Sequence, residues 1–136
     1  MAIKEKQQLS EVLTSICQYI EDYAKNSSLN LNICSESFLS TEMISQLFQP
    51  EPVGKIRATF SDKNEDLSFQ LSVRVLYDGF GFVGVELFST PDIIDAGLKL
   101  RRAKGALSRV ISAYAGSIYT KKVQLTNAAL VGNDNI

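Results

Sequence analysis

The strongest constraint in this chain is a stretch of strict alternation. Leu67, Phe69, Leu71, Val73, Val75 and Tyr77 alternate with Ser68, Gln70, Ser72 and Arg74. Successive side chains of an extended strand point to opposite faces, so this pattern describes a strand buried on one side and wet on the other. Before it, Ile56, Ala58 and Phe60 alternate with Lys55, Arg57 and Thr59, and the polar stretch 61–66 separates the two runs. After Asp78-Gly79 a third apolar run reaches Phe88. Residues 55 to 88 are therefore predicted to form an antiparallel meander of three strands.

The face that each strand must bury sets the register of the second hairpin. A two-residue Asp78-Gly79 loop would pair Tyr77 with Phe80 and throw Val83, Val85 and Leu87 onto the polar side. A three-residue loop, with Gly79 left-handed and followed by a bulge, pairs Tyr77 with Gly81 and keeps those valines and Leu87 beside Leu71, Val73 and Val75. The odd loop is the expected one. It leaves Leu76, Phe82 and Phe88 on the polar face of the sheet.

Upstream, Leu9, Val12, Leu13, Ile16, Cys17, Ile20, Tyr23 and Ala24 keep the three-and-four spacing of one helical face, which predicts an amphipathic helix over 4–25. Asn26-Ser27-Ser28 ends it, and Leu29, Leu31 and Ile33 alternate with polar neighbours as a short edge strand would. A short helix is expected over 41–48, stopped by Pro50 and Pro52. Thr90-Pro91-Asp92 reads as a helix start, with a capping hydroxyl, proline in the first turn and an acid where the dipole favours one. The long helix is predicted over 91–115, with Ile93, Ala96, Leu100, Ala103, Leu107, Val110, Ile111 and Tyr114 on its buried stripe and Gly116 as its stop. A strand over 118–125 and a frayed tail over 127–136 complete the expectation. The whole is a single α+β domain over 1–136, its antiparallel sheet of three to five strands packed against two helices.

Composition removes several chemistries. The chain contains no histidine, which excludes Ser-His-Asp and Cys-His nucleophiles and every His-ligated metal site. Two cysteines, Cys17 and Cys34, are too few for a zinc site and read as small buried apolar residues. Gly79-Phe80-Gly81-Phe82-Val83-Gly84 spells G-x-G-x-x-G, but it joins strand to strand, where its glycines serve a bulge and not a phosphate. The carboxylates Asp62, Glu65 and Asp66, and the pair Asp92 and Asp95, are explained by turn and helix-start chemistry. Neither an enzyme nor a cofactor is expected. No apolar run approaches the roughly 20 residues of a membrane helix, and residues 1–8 lack the apolar centre of a secretory signal, so the expected address is cytoplasmic.

Charge is unevenly spread: residues 1–96 sum to −7 and residues 97–136 to +6. Lys99, Arg101, Arg102, Lys104 and Arg109 form a basic face on the long helix with no acid among them. Ile94 and Leu98 point to the same side, so the apolar surface left over after the core is filled consists of Leu76, Phe82, Phe88, Ile94 and Leu98. These five, with Arg101, Arg102 and Arg109, are the candidate contacts for a segment of another, acidic protein, and the chain is expected to self-associate as a homodimer. The alternative is a nucleic-acid-binding regulator using the basic helix 99–109 with Lys55, Arg57 and Arg74 of the sheet. In size, acidity and element order the chain is similar to small dimeric secretion chaperones, a resemblance of architecture that implies an adaptor or assembly chaperone holding a partner segment on apolar patches.

Overall fold

The protein is described by a computed structural model covering residues 2–39, 50–62, 68–79, 81–90 and 98–134. Its elements are α1 (Ala2–Asn26), β1 (Leu29–Ser37), β2 (Glu51–Asp62), β3 (Ser68–Tyr77), β4 (Phe82–Thr90) and α2 (Leu98–Asp134). The strands form one antiparallel sheet in the order β1-β2-β3-β4, each hydrogen-bonded to its neighbour in sequence. This is the α+β arrangement expected. The predicted meander is β2, β3 and β4, and the short strand after α1 adds to it as a fourth, longer than its three alternating apolar residues implied.

Alternation sorts the sheet into two faces. Ile56, Ala58 and Phe60 of β2, and Phe69, Leu71, Val73, Val75 and Tyr77 of β3, are all buried. The register sets Leu31, Phe60 and Phe69 in one row and Ile56, Val73 and Leu87 in another. Both helices cover this side. α1 packs on β1 and β2 through Leu9, Val12, Leu13, Ile16, Ile20 and Ala24, and α2 packs mainly on β4 through Leu100, Ala103, Leu107 and Ile111. The two helices meet where Tyr19 and Tyr114 set their rings edge to face, 5.7 Å apart. Gly54 admits α1 closely, since a Cβ there would lie 3.1 Å from Leu9 Cδ1 and 3.2 Å from Leu13 Cδ2. The other sheet face carries no helix among the described residues.

The second hairpin departs from the expected register. Tyr77 pairs with Phe82, Val75 with Val85 and Val73 with Leu87, so the loop spans 78–81 and the bulge falls at Val83. The parity is as predicted, with Val85 and Leu87 on the core side, but the pairing is shifted by two residues. Gly79 does take the left-handed conformation, with φ of 92°. The loop is held by the Gly81 amide donating to Asp78 Oδ1 at 3.1 Å and by the Tyr77 hydroxyl donating to the Gly79 carbonyl at 3.2 Å. The shift has an aromatic cause. With the extra residue at Val83, Phe82 turns to the core side and sets its ring 5.2 Å from that of Tyr77, at 6% exposure.

The C-terminal third also differs. Helical backbone runs through Gly116 to Asp134, so the expected strand over 118–125 is helix, and residues 127–134 of the expected frayed tail are helical too. A lone glycine costs a helix only about 0.5–1 kcal/mol relative to alanine. Here Ile111, Ala115 and Ile118 carry the packed stripe across it at helical spacing. Val110, placed on the buried stripe by the wheel, is instead 44% exposed at that stripe's margin. The predicted helix at 41–48 and the helix start at 91–97 lie outside the described residues.

Candidate docking site

The eight candidate contacts do not converge on one surface. Phe82 belongs to the core, which corrects its placement on the polar face. Ile94 lies outside the described residues. Leu76 and Phe88 do face the helix-free side of the sheet, Leu76 half-buried opposite Gly84 and Phe88 at 46% exposure with the Arg74 guanidinium 4.8 Å above its ring. That capping arginine occupies one face of the ring and reduces what a partner could stack on.

Leu98, Arg101, Arg102 and Arg109 lie on α2, on the helix side of the sheet, and all four are exposed. Leu98, Arg102 and Arg109 fall within about 40° of one another on a helical wheel, directly away from the buried stripe of Leu100, Ala103, Leu107 and Ile111, while Arg101 sits to one flank. Leu98 is the most exposed large apolar side chain described, at 56%.

The surroundings of Leu98 make a site of it. Where the C-terminal end of α1 passes the start of α2, Tyr23, Ser27, Asp62, Leu98, Lys99 and Arg102 line an open groove of about 560 Å³. Tyr23 is there because it closes the apolar stripe of α1 at the point where the helix runs past its strand. Ser27 is there because α1 ends in a turn, with the Ser27 amide donating to the Tyr23 carbonyl at 2.9 Å and Ser28 left-handed at φ 55°. Lys99 Nζ donates to the Ser28 carbonyl at 3.4 Å, a long bond that ties the two walls at the surface. The groove thus sets an exposed aliphatic side chain and a phenol ring beside the basic side chains of Lys99 and Arg102 and the carboxyl group of Asp62. Sequence reasoning identified Leu98, Lys99 and Arg102; it placed Tyr23 on the buried stripe, read Ser27 as part of the helix stop and Asp62 as a turn carboxylate, and did not join them to Leu98, since only the return of the chain brings them alongside α2.

The two basic sets lie on opposite sides of the sheet. Arg101, Arg102 and Arg109 are on the helix layer, whereas Lys55, Arg57 and Arg74 rise from the helix-free face, where β1 to β4 form the cross-strand row Glu36, Lys55, Arg74, Glu86. One nucleic-acid strand lying flat cannot touch both, and the sheet set has a glutamate at each end of its row. Among the described residues no cluster of three or more acidic, cysteine or histidine side chains could hold a metal ion, and no helix is long and apolar enough to cross a membrane. No protein-family model, curated protein or solved structure matches the chain.

Proposed function

We propose that this chain is a non-enzymatic docking protein, of adaptor or assembly-chaperone type, that holds an acidic, apolar-anchored segment of a partner protein in the groove between α1 and α2. The observation that carries the reading is Leu98, 56% exposed and flanked in that groove by Lys99 and Arg102. An isolated exposed leucine is ordinary, but one set in a concavity beside Tyr23 offers a place for an apolar anchor of the kind that dominates interface energetics. Charge supplies the selection. The first 96 residues sum to −7 and repel an acidic segment, so the basic start of α2 is where such a segment is drawn. Arg109, along the same helix face, and Arg101 on its flank extend the attraction beyond the groove.

Fluorescence anisotropy with a panel of labelled peptides, acidic with a central leucine or phenylalanine against basic counterparts, tests this. The acidic apolar peptides are expected to bind and the basic ones not. Leu98→Asp and Arg102→Glu should each weaken binding by about tenfold or more, equivalent to about 1.4 kcal/mol, with the melting temperature unchanged. Raising salt should reduce affinity without abolishing it, because apolar burial is not screened, whereas phosphate-dominated nucleic-acid binding collapses steeply. Indifference of the peptides to both substitutions removes the groove from consideration.

A further inference from the structure

β1 lies at one margin of the sheet, and among the described residues no strand pairs with its outer side. It keeps unbroken register with β2 along all nine residues and contains no proline, lysine or arginine, the common devices that blunt an open edge. The opposite margin is protected differently, because the bulge in β4 breaks its register. Toward the helix layer β1 presents Leu31 and Ile33, which face the core but remain only partly buried, while Asn30, Asn32 and Cys34 are exposed on the other side.

We infer that β1 pairs antiparallel with β1 of a second copy, about a two-fold axis at Asn32, joining two four-stranded sheets into one continuous sheet. The occupant is identified by complementarity. In a two-fold pair the strand must match its own inverse, and centring on Asn32 sets Leu31 against the partner's Ile33, Asn30 against the partner's Cys34 and Asn32 against the partner's Asn32. Apolar thus meets apolar at the two helix-side positions that flank the axis, Leu29 falls opposite the partner's Ser35, and amide meets amide at the axis. The single charged residue of β1, Glu36, falls opposite the partner's Ser28 and never opposite its own copy, so no like charges meet. Beside the strand's C-terminal end, α1 and β1 bound an open cleft of about 450 Å³, lined by Lys6, Gln18, Glu21 and Glu36 as well as by the short side chains of Ser10 and Ser35, so the margin of β1 is open on its helix side. A foreign strand could satisfy the same backbone groups, but the sequence of β1 already satisfies itself. This interface uses none of the groove residues around Leu98.

Light scattering on the full chain should give twice the 15.0 kDa of one copy. Asn32→Lys, which sets two ammonium groups face to face at the axis, should return the mass to that of one copy with unchanged circular dichroism. Asn32→Cys, in a chain carrying Cys17→Ser and Cys34→Ser, should form a reducible covalent dimer on oxidation, and this readout decides the matter if the lysine variant does not fold. A wild-type chain with the mass of one copy, a dimer indifferent to Asn32→Lys, or failure of the cysteine variant to cross-link each overturns the inference. Leu98→Asp should leave the dimer mass intact, which keeps failure of the groove reading distinct from failure of this one.

Discussion

Two side chains that looked alike from their surroundings in the chain end in opposite environments. Phe82 and Leu98 were both surplus to the expected core, yet Phe82 is 6% exposed against Tyr77 and Leu98 is 56% exposed beside Arg102. The consequences of substitution should separate them. Phe82→Ala removes a ring from a filled core and should cost about 3–5 kcal/mol in urea unfolding. Leu98→Asp should change stability by no more than about 0.5 kcal/mol, because a surface site leaves no cavity. A Phe82→Ala chain as stable as the wild type would contradict the bulge at Val83 that brings the ring inward.

At the scale of elements, the long helix is where local signals and tertiary packing disagree most. Gly116 and the β-branched residues after it argue for a stop there, but α2 passes it as it passes Gly105. Gly105 is exposed, and nothing lies within 4 Å of where its Cβ would stand. Gly105→Ala should therefore stabilise the protein by roughly 0.5–1 kcal/mol by reducing the freedom of the unfolded chain, read as a higher denaturation midpoint with unchanged slope. Loss of stability would mean that this face of α2 is covered. Strands behaved differently: every alternating apolar residue expected on β2 and described on β3 is buried, since period two leaves one solution once a face is dry. The hairpin departs from expectation where two registers both put Val85 and Leu87 on the core side and differ at Val83, which becomes the bulge, and at Phe82, whose ring takes the core position.

For the molecule as a whole, the helix layer and the sheet enclose two acids that titrate late. Burial, then the Glu21 carboxylate and nearby Cys34, push the Cys17 thiol above its ordinary 9.0, against a hydrogen bond from Ser35 that lowers it. Burial, then Glu5 and Asp78, push the Tyr77 phenol above 10.0. In both cases the folded state holds its proton after the unfolded state has lost it. The unfolded chain then binds fewer protons, so stability is full below about pH 9 and falls as pH rises through the raised values. Urea unfolding from pH 7 to 11 should show this alkaline decline, and Cys17→Ser or Tyr77→Phe should flatten it; a rise in stability above pH 9 would have the wrong sign.

What the order of residues determined alone is the pattern that two periodicities can carry: a half-buried meander, an amphipathic first helix, a basic face on the last one, and the absence of imidazole chemistry. These follow from neighbours two to four positions apart, within reach of local geometry. Tertiary structure decided what depends on distant partners. It put both helices on one side of the sheet and so parted the basic helix from Lys55, Arg57 and Arg74. It also drew Phe82 inward against Tyr77 and brought Tyr23 and Ser27 alongside Leu98, because burial is settled by which surfaces meet and not by spacing along the chain.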